Sequence, residues 1–153
     1  MAARELDRQD RAILRLIADN ASLSLAEIAE QIGLTATPCW KRIRRMEEAG
    51  IISGRVTKID PVKVGLPVAA FVAVETADHS ADWLQRFANV VRDTPEIVDA
   101  WRMSGDVDYL LHVVVPDIAA YDAFYRKLIA AVPLRNVTSR FSMERLKEAP
   151  LPI

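Results

Sequence analysis

Few of the groups from which an active site is assembled are present in this 153-residue chain. There is one cysteine, Cys39, so neither an internal disulfide framework nor a Cys-based zinc cluster can form. The two histidines are His79, in a loop, and His112, inside an apolar run, which supplies neither a metal-binding pair nor a Ser-His-Asp arrangement. All five glycines (Gly33, Gly50, Gly54, Gly65 and Gly105) fall where elements end or turn, so none builds a phosphate-cradling loop. No apolar run approaches the roughly 20 residues needed to span a bilayer. The opening Met-Ala-Ala-Arg-Glu-Leu-Asp leads straight into charged helix and has no secretory pattern. The expectation is a cytoplasmic protein that is not an enzyme, holds no metal or cofactor and does not meet a membrane.

What remains is ordinary globular material. The hydrophobic fraction is 51% and the charged fraction 27%, enough for one domain or two small ones with a real core. The net charge of -1 gives no polyanion-binding signature, but the average hides a basic block. Residues 38–58 hold Lys41, Arg42, Arg44, Arg45, Arg55 and Lys58 against Glu47 and Glu48. Such a block is compatible with nucleic-acid binding and equally with a solvated helix face.

Periodicity divides the chain near residue 50. Leu6, Ile13, Leu14 and Ile17 suit one face of a helix over 7–20, with Asp7 and Asp10 in its first turn. Ser24-Leu-Ala-Glu27 is a capping-box pattern for a second helix, with Gly33 as its stop. Thr35 is placed to cap a third helix ending near Ala49, and Pro38 is tolerable in its first turn. Residues 51–59 read as a basic hairpin turning at Ser53-Gly54, which would act as a wing. A short helix, a Gly-containing turn and a longer basic helix make the helix-turn-helix arrangement.

After a linker at 61–67 the pattern becomes strand at 68–76, helix at 81–93, strands at 97–103 and 109–115, helix from Pro116-Asp117, and strand at 137–146. The order βαββαβ predicts an α+β, ferredoxin-like sandwich with both helices on one face of an antiparallel sheet. The expected domains are therefore 1–60 and 68–153.

On the third helix, successive residues advance about 100°, so Cys39, Ile43, Met46 and Gly50 share an inward stripe. That place makes Cys39 a packed core residue rather than a thiol sensor. The free side offers Thr37, Lys41, Arg44 and Glu48, flanked by Trp40 and Arg45, and Arg42 and Arg55 complete the candidate DNA-binding set. Arg and Lys read guanine edges or hold phosphates, and Thr meets a thymine methyl, so the candidate partner is the major groove of double-stranded DNA. Trp40 suits either contact with DNA or cover for the neighbouring helix. The turn Ser104-Gly-Asp-Val-Asp108 gathers Asp106 and Asp108 beside a glycine; from the residues alone, turn geometry explains it better than acid–base or metal chemistry.

Taken together, Leu6-Asp-Arg-Gln-Asp-Arg-Ala-Ile-Leu14, Gly33-Leu-Thr-Ala-Thr-Pro-Cys-Trp-Lys-Arg-Ile43, Glu48-Ala-Gly-Ile-Ile52 and Ser104-Gly-Asp-Val-Asp-Tyr-Leu-Leu111 resemble the leucine-responsive/AsnC, or feast-or-famine, transcriptional regulators. The resemblance runs through nearly the whole chain. It implies a winged helix-turn-helix DNA-binding domain and an amino-acid-sensing domain that pairs into homodimers, with dimers assembling into octamers or similar forms. It further implies an effector cleft between dimers, lined by Met103, Ser104, Gly105, Asp106 and Asp108 and by Thr138 and Ser139. Thr37-Pro-Cys-Trp-Lys-Arg42, Trp101-Arg-Met103 and Val137-Thr-Ser-Arg-Phe-Ser-Met-Glu144 look like the branch controlling cysteine detoxification, which makes cysteine a candidate effector. Where many members have Pro-Gly-Val before the last strand, this chain has Pro133-Leu-Arg-Asn-Val137. The competing reading is an amino-acid-binding or assembly protein whose helical half makes protein contacts. An RNA-binding module is weaker, because the strands lack the aromatic residues on which RNA bases stack.

Overall fold

A computed structural model describes residues 6–153, which form two compact units. One contains the described residues up to Thr57 together with Leu146–Ile153; the other is Lys58–Arg145.

The first unit is built on three helices, α1 (Arg8–Asp19), α2 (Leu25–Gln31) and α3 (Ala36–Glu48). α1 starts at a capping box of two aspartates: the Asp7 carboxylate accepts from the Asp10 N–H at 2.8 Å, and the Asp10 carboxylate accepts from the Asp7 N–H at 3.2 Å. α2 has the box expected of Ser24 and Glu27, with the Ser24 N–H donating to Glu27 at 2.7 Å. Gly33, at φ +69°, takes the left-handed turn that separates α2 from α3. Thr35 occupies the N-cap of α3 with extended backbone, but its hydroxyl makes no capping bond, contrary to expectation. The inward stripe is as expected: Cys39, Ile43 and Met46 are buried with Ile13, Leu14, Ile28 and Ala29 in one cluster.

Two expectations fail here. Residues 53–60 run without pairing to any described strand, so the predicted hairpin is absent. A lone two-stranded ribbon is marginal in water, and this segment finds no apolar face to lie on: Val56 is 90% exposed. The last eight residues also leave the domain assigned to them and join the first unit. There Ile153 packs against the helical core and its carbonyl accepts a hydrogen bond from Arg15 Nε.

The second unit is a four-stranded sheet of β1 (Val68–Glu75), β2 (Ile97–Arg102), β3 (Tyr109–Val115) and β4 (Asn136–Phe141), with α4 (Ala81–Asp93) and α5 (Ile118–Ala131). The order is β2-β3-β1-β4 and every neighbouring pair is antiparallel. This is the ferredoxin-like βαββαβ arrangement. Ala70, Val72, Val74, Leu111, Val113 and Val115 line one face and bury against Trp83 and Phe87 of α4 and Tyr121, Phe124 and Leu128 of α5. The Trp83 indole N–H donates to the Pro133 carbonyl at 2.8 Å, which satisfies its polar handle inside the core. The other face, with Phe71 stacked on His112 at 4.9 Å and Trp101 45% exposed, carries neither of these helices. Among the described residues no helix is long and apolar enough to cross a membrane.

Candidate nucleic-acid interface and sensing turn

α3 presents a chemically mixed outer face. Trp40, Lys41, Arg44, Arg45 and Glu48 line a shallow depression of about 490 Å³. Trp40 is 51% exposed, which favours its outward role over cover for a neighbouring helix. Thr37 is exposed in the first turn. Lys41 is exposed and enters no ion pair among the described residues. Arg44 lies 3.8 Å from Glu47 and 3.7 Å from Glu48, surface pairs worth about 0.3–0.5 kcal/mol that a phosphate readily replaces. Arg55 touches Glu47 at 3.4 Å from the unpaired segment, so it does not stand on a wing.

Arg42 and Arg45 are placed differently from the rest of the basic block. Arg42 Nη1 sits 2.5 Å from Asp7 Oδ2 and 2.8 Å from Asp10 Oδ1, and Arg45 Nη2 sits 2.6 Å from Asp10 Oδ2. These are charge-assisted bonds that tie α3 to the start of α1. The Asp10 N–H and then the Arg42 guanidinium hold the Asp7 carboxyl below its usual range, and Asp7 keeps Arg42 firmly charged. In the sequence Asp7 and Asp10 read only as helix-start acids; the signal for their second role is the i, i+3 spacing shared by Asp7/Asp10 and Arg42/Arg45. Burial pushes the Cys39 thiol up, so it is not poised as a thiolate.

In the second unit Met103, Ser104, Gly105 and Asp106 are exposed on the turn between β2 and β3. Gly105 has φ +104°, which excludes other residues without strain, although a side chain there would meet open space. The two aspartates of the turn have different tasks. Asp106 is exposed. Asp108 is built into the sheet end: its N–H donates to the Val74 carbonyl at 3.0 Å, its carbonyl accepts from Met103 at 2.8 Å, and its carboxylate accepts from the Thr76 N–H at 2.8 Å.

Thr138 and Ser139, adjacent on β4, point to opposite faces of the sheet. Ser139 Oγ accepts the Tyr121 hydroxyl proton on the helix-covered side, while Thr138 pairs with Ala73 in the row that continues through Leu110 to Trp101 on the open side. The turn joins β2 to β3, which lie three and two interstrand spacings from β4, roughly 14 and 10 Å. Asp108, at the β3 end of the turn, bonds to Val74, which pairs with Val137 beside Thr138.

A helix-turn-helix unit with a basic outer face, followed by a ferredoxin-like unit, defines the class of two-domain DNA-binding regulators. Comparison with known proteins makes this specific. Residues 6–53 match a winged helix-turn-helix DNA-binding model, and residues 69–152 match the Lrp/AsnC ligand-binding domain. The chain is 48% identical over 143 residues to the DNA-binding transcriptional activator DecR of Escherichia coli K12, covering 93% of this chain and 94% of that protein. An AsnC family transcriptional regulator from Agrobacterium tumefaciens superposes with a TM-score of 0.90 at 54% identity, covering 95% and 96% of the two chains. A Neisseria meningitidis transcriptional regulator, solved as a complex with L-Met, superposes with a TM-score of 0.91 at 29% identity over 97% of each chain. The chain belongs to the Lrp/AsnC family: it is a DNA-binding transcriptional regulator with an amino-acid-binding domain, not an enzyme.

Proposed function

We propose that this cytoplasmic regulator reads duplex DNA through Thr37, Trp40, Lys41 and Arg44 of α3, and that a small amino acid bound between copies of the chain sets its activity. The observation carrying the first half is the outward set on α3, above all Lys41, whose charge no described acid answers. The open sheet face with Phe71 and Trp101 suits burial against a second copy as a homodimer. The exposure of Met103, Ser104, Gly105 and Asp106 leaves the turn open to an effector shared between copies of the chain. Dimers then join into octamers or similar forms through the effector contacts. The Neisseria relative's complex with L-Met supports an amino acid as the ligand class, and cysteine is the first to try.

A gel shift with the DNA upstream of the protein's own gene tests the DNA half. Lys41→Ala and Arg44→Ala should each weaken binding by about 1–3 kcal/mol where the side chain makes a bidentate base contact. Unchanged affinity in both folded variants would return the helical half to protein contacts. A thermal-shift screen of amino acids tests the effector half, and no stabilisation by any of them would remove it.

A further inference from the structure

Asp10 is the one fully enclosed carboxylate among the described residues, at 1% exposure. Each of its oxygens holds a different arginine of α3: Oδ1 takes Arg42 at 2.8 Å and Oδ2 takes Arg45 at 2.6 Å. In sequence, Lys41, Arg42, Arg44 and Arg45 form one undifferentiated basic block. In space the block divides. Arg42 and Arg45, three residues apart, both reach Asp10 at the start of α1, with Arg45 also bordering the outer depression, whereas Lys41 and Arg44 make no bond to Asp10.

We propose that Asp10 is a positioning residue for DNA recognition: it fixes the rotation of α3 and withholds Arg42 and Arg45 from the phosphate backbone, so that Lys41 and Arg44 carry the charged contacts. This rests on α3 meeting DNA, as argued above. Swinging Arg45 to a phosphate would leave a buried carboxylate oxygen without its cation, and an uncompensated buried charge costs more than a solvated phosphate contact returns. The consequence concerns specificity. Every phosphate contact strengthens binding to all sequences alike, so removing two of them lowers non-specific affinity without touching base readout.

The salt dependence of binding separates this role from a merely structural one. The probe is a labelled duplex of random sequence, titrated by fluorescence anisotropy across a salt series, with circular dichroism to confirm folding. Lys41→Gln should flatten the plot of log affinity against log salt by about 0.9, which is about 3.5-fold less loss of affinity over a four-fold rise in salt. Arg45→Gln should leave the slope unchanged, since its charge is already spent on Asp10. Asp10→Asn, which still accepts from Arg42, should release Arg45 and steepen the slope by about 0.9.

Should Arg45→Gln flatten the slope as much as Lys41→Gln, or a folded Asp10→Asn leave it unchanged or shallower, the role given to Asp10 is wrong while DNA binding stands. Where Asp10→Asn does not fold, the Arg45→Gln arm decides alone. Failure of the wild-type chain to bind any duplex would overturn the DNA reading and this inference with it.

Discussion

Replacing Asp108 by alanine should unfold the second unit more easily, whereas replacing Asp106 should not. The Asp108 carboxylate accepts the Thr76 N–H at 2.8 Å, and Thr76 is 5% exposed. Alanine leaves that donor enclosed without a partner, at a cost of about 1–2 kcal/mol. For a unit of this size, each kcal/mol moves the midpoint by about 4–8 °C, so the expected drop is about 4–16 °C. Asp108→Asn keeps an amide oxygen in reach of the Thr76 N–H and should recover most of the loss. Asp106 is exposed, and its removal should change stability by under about 0.5 kcal/mol. Thermal unfolding of Asp108→Ala, Asp108→Asn and Asp106→Ala, followed by calorimetry against cysteine, leucine and methionine, measures both effects. Asp106→Ala should retain the fold and lose the amino-acid response. An Asp108→Ala protein as stable as wild type would refute the structural role, and full ligand affinity in Asp106→Ala would refute the sensing role of the turn.

The second unit should also lose stability in mild acid. Burial, opposed by Asp99 and assisted by Arg145, holds His112 below its ordinary value of 6.5, so the unfolded chain takes up a proton that the folded one resists. The contribution of His112 is complete above pH 6.5 and is lost as pH falls toward its lowered value; denaturant titrations of wild type and His112→Gln from pH 7.5 to 5 should diverge in that window. Cys39, at 0% exposure and with its thiol pushed up by burial, should react with a thiol reagent only as fast as the first unit opens. Cys39→Ser should cost about 1–3 kcal/mol for the buried hydroxyl and leave DNA binding insensitive to oxidants, as in wild type.

Legibility in the sequence followed how local each determinant is. The stripe of Cys39, Ile43 and Met46 needed only helical periodicity, and Ser24 with Glu27 needed only a spacing of three. Both kinds of signal are written within a few residues. The βαββαβ order was equally readable, because β1 and β3 are apolar runs, β4 alternates in polarity, and turn residues bound the strands. What failed depended on distant partners. The segment at 51–59 has the polarity of a hairpin, yet nothing in the described unit offers a face to pair it against. The return of Ile153 to α1 joins residues 138 positions apart, and no periodicity announces it. Around the candidate sites the residue types were legible and their allegiances were not. Arg42 and Arg45 look like their neighbours until Asp10 is placed opposite them, and Asp106 and Asp108 look alike until Thr76 claims one of them.

These allegiances explain how a chain of net charge -1 serves as a DNA-binding protein. In the first unit Asp7 and Asp10 absorb Arg42 and Arg45, and Glu47 stands between Arg44 and Arg55. Of the basic residues on α3, only Lys41 has no acidic partner among the described residues, so one α3 supplies few phosphate contacts and a shallow salt dependence. In the proposed homodimer operator affinity would come from repetition: a second α3 held at fixed spacing would make its binding intramolecular and multiply the weak first contact. A regulator built this way has a direct route from ligand to DNA. An amino acid that binds one assembly better than another changes how many recognition helices act together, and only such a difference in affinity between assemblies can move the equilibrium. On the proposed function, the exposed turn at Gly105 and the open sheet face lie in the unit that would assemble, and the sparing charge of α3 would make the DNA end sensitive to that assembly.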